Sequence, residues 1–429
     1  MDPLIKILIV FAAMLLANRL RLHLGIALVL GGLALVLWAG RGWDGAWGDL
    51  LYALQQAELW LLLVVTALIF EFGRHMAEER NANILMRAAR AWGGRHGRAL
   101  SLMAIPAAIG LVPMPGGALF SAPLVDRAAP ESEWDAAWKG AINYWFRHVW
   151  EYWWPVFPVV IVTLSMFDLE IWTFIALQFP LSLAALLTGY WVMIRPHLSR
   201  LADHREHEAP MTADIGRIAF PLAVVILCTL LLPGLFSRLT PELALQTRKL
   251  LAMIIGLGLG LIPILRDSGP NAQRRFFENL LNRKAASLLG TIGGVIIFKI
   301  LLEQSELLPD AGAQLVASGM PLILIVALLP FIAGLVTGIA IGFAGISFPL
   351  LAGLIGTPET GLGLASTLVL GFAFGYAGMM FSPVHLCFVL TRGYFTISIQ
   401  SVLRYVIPCS LGPLAVAGTI YALLRGVGW

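Results

Sequence analysis

Charged side chains are scarce in this sequence. Asp, Glu, Lys and Arg make up 13% of its 429 residues and apolar types 59%, against roughly a quarter and a half in ordinary globular chains. The mean hydropathy is +0.83. A water-soluble fold of this length cannot hide that much apolar surface, so the solvent is a lipid bilayer. Residues 155–167, 218–237 and 320–358 contain no charged side chain. Cysteine is nearly missing too. Cys228, Cys387 and Cys409 all sit in apolar stretches. That excludes a disulfide framework or a CxxC metal site and reads them as small core side chains. No HExxH, Walker A or GxSxG pattern occurs, so neither an enzyme nor a bound cofactor or metal is expected. The net charge of +4 comes from arginines in loops without interleaved aromatics, which excludes a nucleic-acid partner. No small-residue cleavage pattern follows the first apolar run, so residues 4–18 are expected to be a retained span.

What the chain does contain is a series of membrane-length apolar runs. Ten spans are expected, near 4–18, 22–39, 56–73, 140–166, 171–193, 215–235, 247–265, 285–302, 361–390 and 398–424. Two further segments, 99–125 and 320–351, are too long for one crossing of ~20 residues and too short for two. Helix breakers interrupt each: PMPGG at 113–117 and GLVTGIAIGFAG at 334–345. Both are expected to be re-entrant hairpins, whose irregular backbone is tolerated only when protein or a cavity surrounds it. Of the 29 basic residues, 20 fall on one face and six on the other, with Arg147, Lys299 and Arg404 inside spans. That imbalance places the first face in the cytoplasm and both termini outside.

The second half echoes the first. GLV at 110–112 recurs at 334–336, SAPLV at 121–125 as SFPLL at 347–351, and WPV at 154–156 as SPV at 382–384. The offsets of 224, 226 and 228 are nearly constant. Each half holds five spans and one hairpin, and five is odd, so the halves enter the membrane inverted. The expected fold is an all-α polytopic membrane protein of two inverted-topology repeats, 1–193 and 215–429, joined by a cytoplasmic linker at 194–214. Such repeats with broken helices are the architecture of secondary transporters. His204 and His207, with Asp203, Glu206 and Glu208, lie in that linker at spacings that match no metal-ligand pattern.

The strongest local signal is NYWFRHVWEYWWP at 143–155. Ionisable groups at membrane depth must pair or face water. Arg147 and Glu151 are four apart and His148 and Glu151 three, so the three are expected on one helix face, and Pro155 should break the helix nearby. One reading is a site at a discontinuous helix, with Asn143 and Arg147 on the substrate and His148 and Glu151 as proton or ion carriers. The other is a structural Arg–Glu pair beside an aromatic belt of Trp145, Trp150, Trp153 and Trp154. In the second half, Gly371, Gly375 and Gly378 loosen the helix ahead of Pro383, and Tyr376, Ser382 and His385 supply polar groups; close helix packing explains the glycines equally well. At the hairpin tips, Pro115, Gly116 and Gly117 leave N–H groups free at the start of the half-helix through Ser121, with Thr337 and Ser347 serving the same purpose in the second hairpin. A helix N-terminus aimed into a cavity is an anion site, and unwound carbonyls beside it hold Na⁺; the alternative is a simple kink.

The runs GLVPMPGGALFSAPLVD, NYWFRHVWEYWWPVFP and MMFSPVHLCFVLTRGYF resemble the ten-span membrane proteins grouped as domain of unknown function 401. That group is distantly similar to the ion transporter superfamily of gluconate, citrate and dicarboxylate carriers. The resemblance implies an elevator-type homodimer, with a scaffold domain that dimerises and a transport domain whose two hairpins and broken helices, 140–166 and 361–390, hold the substrate. The expected function is therefore secondary transport of a small organic anion across the cytoplasmic membrane, coupled to H⁺ or Na⁺. The alternatives are a passive channel and an intramembrane enzyme. The glycine-rich runs 25–40 and 250–263 are expected to form the dimerising scaffold.

Overall fold

The computed structural model describes residues 2–76, 84, 96–111, 117–129, 134–201, 212–267, 274, 278–279, 282–355 and 360–426. Every regular element among them is helical. Among the described residues, six helices are long and apolar enough to cross a bilayer, seven if the pair 42–55 and 57–73, bent by 52°, is one span. The chain is a multi-pass membrane protein.

The first half runs α1 (Pro3–Arg19), α2 (Leu24–Trp38), α3 (Gly42–Gln55), α4 (Ala57–Met76), α5 (Gly97–Gly110), α6 (Ala118–Ala128), α7 (Ala136–Arg147), α8 (Pro158–Phe167) and α9 (Ile171–Gly189). The second runs α10 (Thr212–Leu239), α11 (Leu245–Asp267), α12 (Arg283–Gln304), α13 (Leu307–Ala317), α14 (Leu322–Thr337), α15 (Ala340–Ile355), α16 (Leu364–Phe381), α17 (Leu386–Phe395) and α18 (Ile399–Gly426). Three elements depart from expectation. α3 and α13 occupy stretches read as loops. The helix begun by α9 continues through a π turn at Tyr190–Ile194 to Leu201, so the linker does not start at 194. Residues 202–211, with His204 and His207, lie outside the described residues, as does the tip 112–116, with Pro115 and Gly116.

The segment 99–125 is not one helix: α5 stops at Gly110 and α6 starts at Ala118. The second segment likewise divides into α14 and α15 around Gly338, whose φ of +66° suits glycine. These four helices have 14, 11, 16 and 16 residues. At 1.5 Å per residue, each falls short of a ~30 Å hydrocarbon core.

Helices of the two halves keep a common register. α8 and α17 both have ten residues, and their starts, 158 and 386, differ by 228. Each ends on a left-handed residue, Asp168 (φ 46°) and Thr396 (φ 53°), again 228 apart. α9 and α18 begin at 171 and 399, the same offset. Gly110 and Gly334 fill matching roles. A Cβ on Gly110 would sit 1.9 Å from the Arg147 carbonyl oxygen, and one on Gly334 2.2 Å from that of Gly375. Arg147 and Gly375 are themselves 228 apart.

Packing sorts the helices into two groups. α2, α4, α10, α11 and α12 pack mainly on one another, and α1 packs on α2, α13 and α14. The glycines of 25–40 serve this contact within the chain: a Cβ on Gly25 would lie 2.0 Å from the Gly290 carbonyl oxygen. The second group holds α5–α9 and α14–α18. Within it, α6 packs on α17 and α15 on α8, so the second half-helix of each pair leans on the interrupted helix of the other half. Between the groups, the Ser165 hydroxyl of α8 donates to Glu58 of α4, which lies 3.7 Å from Lys299 of α12 in its own group.

Candidate functional site

Asp135 caps the start of α7, its carboxylate accepting from the Ala137 N–H at 3.1 Å. It ends at Arg147, eight residues before Pro155. The expectation that Arg147, His148 and Glu151 share one helix face therefore fails, because residues 148–153 form turns. Proline disrupts only its own turn and the one before it, so the early end has another cause. Two carbonyls of the unwound segment are satisfied from other helices. The Tyr376 hydroxyl of α16 donates to His148 O at 2.5 Å, and the Ser182 hydroxyl of α9 donates to Val149 O. Irregular backbone at membrane depth survives on this condition. Indoles fix the surroundings: Trp150 donates to Ala107 O at 2.8 Å and Trp145 to Ala185 O at 2.9 Å.

The second interruption is shorter, Ser382 to His385, between α16 and α17. The Ser382 hydroxyl donates to Leu335 O at 2.7 Å, on the last turn of α14. The hairpin turn sits on this break, since a Cβ on Gly338 would be 2.8 Å from His385 N. Ser382 and His385 therefore both meet the second hairpin.

The two interruptions meet in the interior. His148 Nε2 lies 3.1 Å from His385 Nε2, and His148 Nδ1 2.6 Å from Tyr144 O. Glu151 Oε1 stands 3.9 Å from His148 Nε2. The Tyr144 hydroxyl donates to Met380 O at 3.0 Å, and Tyr152 stacks near Tyr376 with centroids 4.2 Å apart. Arg147, His148, Glu151, Tyr376 and His385 are all buried. At this depth a charge stays only with partners or a ligand.

Arg147 reaches the first hairpin. A Cβ on Gly117, the residue capping α6, would fall 2.2 Å from Arg147 Nη2. The guanidinium thus stands at a helix N-terminus, and both are positive. Asn143 ties the same region together, its Nδ2 donating to Ala118 O and to Thr391 Oγ1, each at 3.1 Å. Its buried Oδ1 accepts no hydrogen bond among the described residues.

The remaining candidates turn to their own helices. Ser121 donates to Ala118 O at 3.4 Å, Thr337 to Ala333 O at 2.7 Å and Ser347 to Phe343 O at 2.5 Å. No hydrogen bond among the described residues joins Ser121 or Ser347 to the histidine pair. Three participants escaped the sequence reading. Cys387, taken as a core hydrophobe, lies beside both histidines. Lys139, assigned to the basic face, is fully buried and paired with Asp126 of α6. Gln178 of α9 is buried with neither amide atom hydrogen-bonded among the described residues. Conversely, Arg404, assigned to a span interior, is half-exposed and pairs with Asp135 at 2.6 Å.

Fold and site define a multi-pass helical membrane protein whose buried polar centre lies where two interrupted helices meet. The chain belongs to the family described as Protein of unknown function (DUF401), whose profile matches residues 4–424. That description names no substrate, coupling ion or mechanism. No curated protein matches the chain.

Proposed function

We propose that the protein is a secondary carrier for a small organic anion, built from two inverted repeats. The observation that carries the reading is the buried Arg147 guanidinium at the Gly117 cap of α6. Two positive groups packed against one another favour an anion bound alongside both, where N–H groups and a bidentate guanidinium act together. A carboxylate is the matching ligand class, with Asn143 and Tyr376 beside it. The hairpins α5–α6 and α14–α15, too short to cross, are re-entrant in this reading. They move with the interrupted helices as an elevator against α1, α2, α4, α10, α11 and α12, which hold a homodimer in the cytoplasmic membrane. His148 and Glu151 are the proposed proton carriers, with H⁺ preferred over Na⁺ because both titratable groups border the anion position.

Reconstituted protein should show saturable counterflow of a carboxylate and accumulate it under an imposed pH gradient. Arg147→Ala should lose binding by about 100-fold, the scale of a charge-assisted bidentate contact of ~3 kcal/mol. Glu151→Gln should keep counterflow and lose proton-driven accumulation. Non-saturable flux would instead favour a channel, and a strict Na⁺ requirement without pH dependence would remove His148 and Glu151 from coupling.

A further inference from the structure

The meeting of the two breaks brings His148, the proposed proton carrier, beside two side chains that anion transport leaves unused, His385 and Cys387. One ring nitrogen of His148, one of His385 and the Cys387 sulfur lie within 4.8 Å of one another, and all three residues are buried. His148 follows α7 in the first half; His385 caps α17 and Cys387 is its second residue. Along the chain 237 residues separate the two histidines, so no ligand spacing announces the set.

The hydrogen bonding fixes how the group presents itself. His148 Nδ1 lies 2.6 Å from the Tyr144 carbonyl. A carbonyl only accepts, so Nδ1 carries the proton and Nε2 turns its lone pair inward. Ligating histidines are held in this way by a backbone carbonyl on the far nitrogen. That one lone pair faces two neighbours, the His385 Nε2 at 3.1 Å and the Cys387 sulfur within 4.8 Å. A single lone pair satisfies one donor well, not two. A cation in the centre satisfies all three residues at once.

We infer that His148, His385 and Cys387 form a three-ligand site for a thiophilic divalent cation of the Zn²⁺ class. Bonds of ~2.0–2.1 Å in tetrahedral geometry set two ligand nitrogens about 3.3 Å apart, close to the observed pair. Glu151 Oε1, 3.9 Å from His148 Nε2, is at hand for the fourth position. Two imidazoles and a thiolate select Zn²⁺ over Mg²⁺ or Ca²⁺, which take oxygen ligands. Binding replaces the thiol proton, which leaves to solvent, and shifts the His385 proton to its Nδ1. The ion ties the two halves together where their helices unwind. The inference stands on this geometry; a bound ion would engage His148 and Glu151, the proposed proton carriers, and leave the anion position at Arg147 and Gly117 untouched.

The test uses the full chain in detergent, stripped with chelator and titrated with Co²⁺ alone, then Zn²⁺. One Co²⁺ per chain should bind, with a thiolate-to-cobalt band in the near ultraviolet that Zn²⁺ removes. Cys387→Ser should lose that band while Cys409→Ser and Cys228→Ser keep it. His148→Gln and His385→Gln should each weaken binding by more than about tenfold, since even outer-sphere changes reach that size. If Cys387→Ser does not elute as folded protein, the wild-type spectrum decides. No thiolate band in the wild type, or one that survives Cys387→Ser in folded protein, overturns the site. Neither result touches anion counterflow, which is measured separately in liposomes.

Discussion

The two helix interruptions occupy the same register and are built differently. In the first half the helix stops at Arg147 and resumes at Pro158; in the second it runs on to Phe381 and resumes at Leu386. Both receive a glycine of the neighbouring half-helix against the same backbone position, Gly110 on Arg147 and Gly334 on Gly375. Backbone approach alone therefore does not decide where a helix ends. The difference lies in who satisfies the freed carbonyls. Tyr376 and Ser182 reach across to His148 O and Val149 O in the first half, whereas in the second Ser382 donates outward to the hairpin. The longer break also carries the charged residues, with Arg147, His148 and Glu151 standing where the second half has Gly375, Tyr376 and Met379. The first half supplies Arg147 and Glu151 to the polar centre, and both halves supply its histidines, His148 and His385.

The most severe way to break this comparison is to attack the shared backbone contact. Gly110→Ala and Gly334→Ala both place a methyl within 2.2 Å of a carbonyl oxygen that belongs to a packed helix. Each should cost roughly 3 kcal/mol, the upper end of overpacking, and should appear as a large loss of folded protein on thermal challenge in detergent. Gly418→Ala, with nothing within 4 Å of the added methyl, should be neutral. Tolerance of Gly110→Ala with failure of Gly334→Ala would mean the two contacts are not equivalent.

A milder test separates the breaks by their donors. Tyr376→Phe with Ser182→Ala removes both donors to the first break and should cost about 2 kcal/mol, at ~1 kcal/mol per buried hydrogen bond. Ser382→Ala removes one and should cost about 1 kcal/mol. The same thermal assay reads both. Equal losses would show that length of the break and number of outside donors are unrelated.

Much of this arrangement was legible in the sequence. The register was, because the repeated WPV and SPV place Pro155 and Pro383 in the two interruptions, 228 residues apart. The divided hairpins were, since segments of that length with central glycine or proline fit neither one crossing nor two. The end of α7 was not. It is set by Tyr376 and Ser182, side chains far away in sequence that local periodicity cannot see. The same reason hides Cys387 and Lys139. A cysteine among apolar neighbours reads as core until the fold brings two histidines beside it, and a lysine at a helix edge reads as solvated until Asp126 is placed against it. Helices α3 and α13 were missed because both, at 14 and 11 residues, are too short to read as spans.

The smallest expected effect sharpens the comparison at the far ends of α8 and α17, where the backbone is the same and the side chains differ. Asp168 and Thr396 both hold positive φ. A β-branched residue is poorly suited to that region, which costs an L-residue roughly 1–2 kcal/mol, while Asp tolerates it better. Thr396→Gly should therefore raise apparent stability by about 1 kcal/mol, after the greater chain entropy of glycine is subtracted. Asp168→Gly relieves less strain and also removes an acceptor, because Gln246 Nε2 donates to Asp168 Oδ1 at 2.9 Å in an exposed setting. That bond contributes about 0.5–1 kcal/mol, so the two terms should nearly cancel. Thermal midpoints of the two variants should differ in sign or size, with Thr396→Gly the more stable. If both gain equally, the Gln246 bond contributes nothing. If both lose, left-handed strain is not what these two helix ends share.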